Sequence, residues 1–383
     1  MNRRLLSIGH SYCVGLNRRI PHWIARLGAG RWDVTVAAPA TFPGDLGPIV
    51  TMSEPDELPA LCTLPAHLAS IIQIFAYGRG LRALLNQSWD LVHLWEEPYI
   101  LAGAQIAALA PRKTPIVYYT CQNLKRDYPL PFSRMEQYCF RRSAGWIAMG
   151  RTTLDTQLAR GFTGKPCTVI SPGVDTDAFC PDPAARADIR QRLGWGSEKI
   201  PVIGYAGRFV PEKGLPFLMS VLERLDTPWR ALFIGDGILK PDLERWSASY
   251  GSAVRIISGI GHRGMPPYFN AIDILCVPSQ ATPRWREQFG RVIIEAFACG
   301  VPVIGSDSGE IPTVIDDAGI VAGERDPSNW IDALEVLLNN QEERQRLGNR
   351  ARDLALTRHA HPVAARQHLD FFDQILATDP HRN

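Results

Sequence analysis

The chain has 383 residues, 45% of them hydrophobic and 21% charged, with a formal net charge of +2. That length exceeds what one core usually serves, so two globular domains are expected, and the near-neutral charge argues against nucleic acid as the main partner. The eight cysteines include no Cys-x-x-Cys pair, which argues against a disulfide framework or zinc site and for reduced, cytoplasmic thiols.

Met1 to Arg4 is basic and Leu5 to Ile8 briefly apolar. This is too short an apolar core for a signal peptide and reads better as a first strand. Ile20, Trp23, Ile24 and Leu27 follow at helical spacing, and Gly28 stops that helix. Further apolar runs span 34–38, 91–95, 116–120, 146–150 and 168–171 in the first half. In the second half they span 202–207, 232–236, 254–259, 274–279 and 302–307. Continuous apolar strands alternating with helical patterns predict parallel sheets covered on both faces. The longest weakly polar run, Tyr99 to Ala110, is too short to cross a bilayer, so contact with a membrane is expected at its surface at most. The array breaks once, between Ser171 and about Ser197, where three prolines, Gly173 and a charged, loosely periodic stretch predict an interdomain connection. The resulting α/β architecture has a first domain over 1–172 and a second over 173–357. Ligands are expected beyond the carboxyl ends of the strands, in the cleft between the domains. A helical pattern runs from Pro362 to Leu376.

The most informative segment is Glu287 to Glu295, two carboxylates with seven residues between them around a glycine-opened apolar helix. Backbone N–H groups of Phe289, Gly290 and Arg291 suit a phosphate at the helix N-terminus. Glu287 stands just before the helix and Glu295 about two turns in, on the same side. A surface ion pair between Arg291 and Glu295 is the plainer reading. Gly207 to Gly214 brings Arg208 and Lys213 to another strand end, as a guanidinium fork and a compact point charge for phosphate oxygens. It fits neither a Walker A loop nor a dinucleotide fingerprint. Gly235-Asp236-Gly237 and Ser306 to Pro312 are further strand-end turns, the second a candidate phosphate or sugar contact and equally an ordinary capped turn.

Taken together these stretches resemble the family 4 (group 1) glycosyltransferases, which have the GT-B fold of two doubly wound, Rossmann-like domains. The carriers are the G-R-x-x-x-E-K-G loop at 207–214, the E-x7-E pair with its Ala296 to Ile304 continuation, Pro172-Gly173-Val174-Asp175, and Tyr268 to Asp273 with Pro278-Ser279. The resemblance implies a retaining, metal-independent transfer of a sugar from a nucleotide-diphosphate sugar to an acceptor hydroxyl, with no cofactor beyond that co-substrate. The pathway it suggests is cell-envelope or exopolysaccharide synthesis, at the inner face of the membrane or in the cytoplasm. Arg208 and Lys213 would neutralise the departing diphosphate. Glu287 would bind the sugar and Glu295 the ribose. Phe289 and Gly290 would donate backbone hydrogen bonds, Gly207 and Arg291 would complete the donor loops, and the base would lie near Ile260. Gly15 would replace a glycine pair that the family often has after the first strand. The helix around 358–383 would pack back on the first domain.

That first domain departs from the pattern. His10 and Tyr12 are unusual in their loop, and Thr120-Cys121-Gln122-Asn123 has no histidine where many members carry one. Gln122 or Asn123 then takes a hydrogen-bonding role, or no side chain does. Trp95, Glu96, His10 and Tyr12 are candidate contacts for a carbohydrate or lipid-linked acceptor, with a capped turn as the plainer alternative for Trp95-Glu96-Glu97-Pro98. Asp175-Thr176-Asp177 matches the metal-binding signature of the other large glycosyltransferase fold but lacks its context and reads as a turn. A retaining glycosidase needs carboxyl groups ~5–5.5 Å apart, whereas eight helical residues separate theirs by ~12 Å. An epimerase or phosphorylase on the same fold, or a nucleotide-sugar-binding protein without turnover, are the rival functions.

Overall fold

The computed structural model describes residues 2–44, 47–196 and 199–378. Met1, Ser197 and residues 379–383, which the sequence reading included, lie outside the described residues. The chain divides into two compact units, Met1–Pro172 with His361–Asn383, and Gly173–Ala360.

The first unit carries β1 (Arg3–Ile8), α1 (Arg19–Leu27), β2 (Trp32–Pro39), a hairpin of β3 (Thr41–Gly44) and β4 (Gly47–Val50), and β5 (Ala60–Leu64). A second hairpin, β6 (Ala66–His67) with β7 (Ala76–Tyr77), leads to α2 (Leu81–Leu85), β8 (Leu91–Leu94) and α3 (Leu101–Leu109). Then come β9 (Ile116–Thr120), α4 (Phe132–Arg142), β10 (Gly145–Ala148), α5 (Arg151–Ala159) and β11 (Cys167–Val169). Its seven-stranded sheet is parallel, in the order β11-β10-β9-β8-β1-β2-β5. Neighbouring residues of one strand enter opposite cores: Leu6 and Ile8 pack with Val92, Tyr118 and Trp146, whereas Leu5 packs with Val34, Leu91 and Ile147. That alternation is the pleat of a doubly covered sheet, and it explains why these strands read as unbroken apolar runs.

The second unit opens with α6 (Pro183–Arg192), β12 (Val202–Ala206), α7 (Leu215–Leu222), β13 (Arg230–Ile234), α8 (Lys240–Ser247), β14 (Val254–Ile257) and α9 (Pro266–Ala271). It continues through β15 (Ile274–Val277), α10 (Arg291–Ala298), β16 (Val303–Ser306), α11 (Ile311–Ile315), β17 (Gly319–Ala322), α12 (Pro327–Asn339) and α13 (Gln341–Leu354). The sheet order β14-β13-β12-β15-β16-β17 is that of a dinucleotide-type doubly wound domain, with the reversal between β12 and β15. In the first unit the reversal falls between β1 and β8. Each reversal opens a crevice at the carboxyl edge of its own sheet, and the loops that follow those four strands line it.

The stretch between Ser171 and Ser197 is more ordered than its sequence suggests. α6 begins at Asp182, whose side chain accepts from the Ala185 amide (2.9 Å), and it packs on α9. Arg186 and Arg190 both bond the Asp273 carboxylate, at 2.5 Å each. The chain therefore leaves the first unit at Pro172 and is already part of the second unit's body at α6. α14 (His361–Ala377) belongs to the first unit, where Leu369, Phe372 and Ile375 join Ile20 and Ile24 of α1.

Candidate active site

At the second unit's reversal, the loop after β12 rests on Phe209, which is fully buried, and on a Tyr205 Oη bond to the Arg208 carbonyl (2.8 Å). Burial, with Glu287 nearby, pushes the Tyr205 phenol up. The Arg208 side chain is 54% exposed and 3.9 Å from Glu212. Lys213 instead turns inward: its Nζ lies 2.6 Å from Glu287 Oε2 and 5.0 Å from the centre of the Trp285 ring. Glu287, only 7% exposed, also accepts from Ser279 Oγ (2.9 Å), two residues past the end of β15. The two motifs singled out in the sequence thus meet through one ion pair across the β12–β15 crevice.

The backbone behind Glu287 is equally constrained. Its carbonyl accepts from the Glu310 amide (3.1 Å), and a Cβ on Gly309 (φ +59°) would lie 2.0 Å from the same oxygen. This ties the 306–312 loop to the site as a support for Glu287. Ser308 Oγ, buried there, has no partner among the described residues. Gly290 stands in the left-handed region (φ +81°, ψ 59°) and starts α10 at Arg291, with no side chain capping the helix. Its uncapped first turn is suited to an anion. Because the helix starts at Arg291, Glu295 lies only about one turn in, not two. Its carboxylate is 3.0 Å from His262 Nε2, on the turn that follows β14 and half-buried Ile260. His262 and Trp285 escaped sequence reasoning, because they are brought in by loops that carry no spacing signal, and Ser279 was noted only as part of the Pro278-Ser279 motif, with no role. Phe289 is buried with its ring against His359, so only its backbone faces the helix tip.

At the first unit's reversal, His10 follows β1 and Glu96 follows β8. His10 Nδ1 is 2.6 Å from Glu96 Oε2, and the His10 amide donates to Glu96 Oε1 (2.7 Å), as does Tyr77 Oη (3.0 Å). Burial would depress the imidazole, but the Glu96 carboxylate and its hydrogen bond, with Glu97 beyond, outweigh it and hold the imidazole above its ordinary value. Glu97 accepts from the Cys121 and Gln122 amides (2.8 and 3.0 Å), and burial raises its carboxyl. Gln122 reaches Tyr99 Oη (3.3 Å). This loop, without the family's histidine, is organised by Glu97, a residue the sequence offered only as part of a turn.

Several first-unit expectations need correction. Tyr12 is fully buried, bonded to Ser7 Oγ at 2.7 Å, and Trp95 is 8% exposed with its ring 4.0 Å from Tyr119. Both side chains build the core and have no face to offer an acceptor. Asn123 is likewise buried. Gly15 faces the Glu54 carboxylate: a Cβ there would lie 1.9 Å from Glu54 Oε1. His10 and Gln122 are the first-unit candidates that remain partly exposed at the carboxyl edge, while the Glu96 side chain is buried and holds His10 in place.

Doubly wound units with a cation–carboxylate cluster and an open helix N-terminus at one switch point are the apparatus of a nucleotide-sugar transferase. The chain belongs to the family 4, group 1 glycosyltransferases. The model described as "Glycosyl transferases group 1" matches residues 186–354 and that described as "Glycosyltransferase Family 4" matches 15–178. A D-inositol 3-phosphate glycosyltransferase of Xylanimonas cellulosilytica is 34% identical over 315 residues, 78% of this chain and 70% of that protein. A GDP-mannose-dependent α-(1-6)-phosphatidylinositol monomannoside mannosyltransferase of Mycolicibacterium smegmatis is 35% identical over 196 residues, 49% of this chain and 51% of that one. Among solved structures, Anabaena HepE in complex with UDP and glucose aligns with a TM-score of 0.76 at 18% identity, covering 97% of this chain and 100% of that one. Sucrose-phosphate synthase from Thermosynechococcus elongatus aligns at 0.74 with 19% identity, covering 98% and 100%. These likenesses establish the GT-B fold, and the enzyme is a hexosyltransferase-type glycosyltransferase using a nucleotide-sugar donor.

Proposed function

We propose that the enzyme moves a hexosyl group from a nucleoside-diphosphate sugar to an acceptor hydroxyl with retention of configuration and without a metal ion. The observation that carries this reading is the Lys213–Glu287 pair beside the uncapped start of α10. The barrier to transfer is the separation of an anionic diphosphate from a cationic sugar. Arg208, Lys213 and the first amides of α10 stabilise that leaving group without reorganising, the largest electrostatic contribution available to such a site. As the C1–O bond to phosphate breaks, the acceptor oxygen bonds C1, and a phosphate oxygen takes the acceptor proton. Glu287, with one oxygen committed to Lys213 and Ser279, holds sugar hydroxyls and is not the nucleophile. Glu295, aligned by His262, takes the ribose, and Ile260 borders the base. His10 and Gln122 meet the acceptor, and the buried Glu96 orients His10 from beneath; the acceptor is a carbohydrate or a lipid-linked sugar, the latter favoured by the lipid acceptor named for the mycobacterial relative. Cell-envelope or exopolysaccharide synthesis is the setting this fits. Among the described residues no helix is long and apolar enough to cross a membrane, so any membrane contact in this scheme is peripheral.

The test is thermal stability against UDP-, GDP- and ADP-sugars. A donor present at 100 times its dissociation constant adds ~2.7 kcal/mol of stability. A panel without any shift overturns the reading. With the donor known, the anomeric configuration of the product tests retention, and turnover that persists in excess EDTA tests metal independence.

A further inference from the structure

Lys213 has two neighbours, and only one of them is part of the family signature. The other, Trp285, sits on a loop that leaves β15 and returns to Glu287. That loop is built: the Gln280 amide donates to the Glu212 carbonyl (2.9 Å), the Ala281 amide to Glu324 Oε2 (2.6 Å), and Thr282 and Trp285 exchange backbone hydrogen bonds (2.8 and 3.3 Å). The first of these stitches the Trp285 loop to the turn that carries Lys213. The half-buried indole is thereby held with its ring centre 5.0 Å from the Lys213 ammonium.

We propose that Trp285 is a positioning residue for the leaving diphosphate, holding the Lys213 ammonium at the crevice through its ring face. This rests on the donor reading above. A lysine on a four-carbon stem loses appreciable rotamer entropy when it is ordered, so a preplaced ammonium binds phosphate better than a free one. Glu287 also holds it, but a carboxylate cancels the charge that the phosphate needs. An aromatic face attracts the cation without neutralising it. When a diphosphate arrives, the ammonium can turn from Glu287 toward phosphate while still resting on the ring, and Glu287 is released to the sugar hydroxyls.

The experiment is a double-mutant cycle in the full chain, Trp285→Leu and Trp285→Phe alone and combined with Lys213→Met. The readouts are calorimetric affinity for UDP, GDP and ADP, and kcat and KM for the donor. Trp285→Leu is expected to weaken diphosphate binding about three- to thirtyfold. Trp285→Phe, which keeps a ring face, should stay within about threefold. In the Lys213→Met background Trp285→Leu should add almost nothing, since the two residues act as one. Equal losses from Trp285→Leu in both backgrounds, or Phe as damaging as Leu at unchanged melting temperature, would overturn the inference. If the wild-type chain bound none of the three diphosphates, the donor reading itself would fall, and this inference with it.

Discussion

Glu287 and Glu295 look equivalent in the sequence and are not equivalent in the protein. Glu287 is paired with Lys213 and Ser279, whereas Glu295 is paired with His262. The first pair lies where charge separates during transfer, so Glu287→Gln should lower kcat by about a hundredfold, a loss typical of an interaction made in the transition state. Glu295→Gln should act mainly on donor KM, by about tenfold, as the loss of one hydrogen bond from a charged group does. Steady-state kinetics with the donor identified by thermal shift separate the two, and equal effects on kcat would refute the division of labour. Truncating Glu287 would leave the Lys213 ammonium and Ser279 Oγ without an acceptor as well as without a countercharge, whereas the isosteric Gln keeps the acceptor and removes the charge alone, so Gln is the informative change. The identities of these residues were legible in the sequence. Their partners were not, because His262 reaches Glu295 from the loop after β14 and Ser279 reaches Glu287 from the loop after β15.

α10 and α14 show how the elements carry this chemistry. Gly290 starts α10 in the left-handed region, so Gly290→Ala should destabilise the fold by about 1–2 kcal/mol and blunt donor binding, both measurable in a thermal melt with and without donor. α14 ties the chain's end to the first sheet through a buried pair of imidazoles. His368 and His93 have ring centres 5.3 Å apart, and burial drives His368 down to about 4 and His93 well below its ordinary value. Both are neutral when folded, so the unfolded chain binds more protons between pH 6.5 and about 4, and stability falls as pH drops through that window. For His368 alone the loss approaches roughly 3 kcal/mol at the bottom of the window. His368→Leu should flatten the acid limb of a melting-temperature profile between pH 7 and pH 4, and an unchanged limb would refute the assignment. The helix was visible from its apolar spacing. His368 falls on that spacing, but its acid sensitivity comes from burial against His93 of β8 and Tyr119 of β9, which spacing does not show.

At the scale of the whole molecule there are two units with separate cores, and the proposed function gives the donor to the second. Hydrogen exchange should therefore show nucleoside diphosphate protecting the amides of 207–214 and 287–295 more than those of 10–16 or 120–124. Protection centred on the first unit would contradict the assignment of the donor to the second. Most of both parallel sheets was legible, because strands buried on both faces are apolar without interruption, a local property of the chain. The short edge strands β5 and β17 and the two hairpins were missed, since their exposed or half-buried residues carry no such run. α6 was read as a linker because its apolar residues are few; its stability comes from the Asp182 cap and from arginines that bond Asp273 about 85 residues away. By itself the sequence determined the fold class and the family, and it picked out the cationic and acidic members of the proposed donor site, all of which rest on short-range patterns. The tertiary structure decided which of those charges meet, that the Trp285 ring lies beside the Lys213 ammonium, and that Tyr12 and Trp95 are core. Those outcomes depend on which strand ends the sheet order brings side by side, a long-range property that residue spacing does not encode.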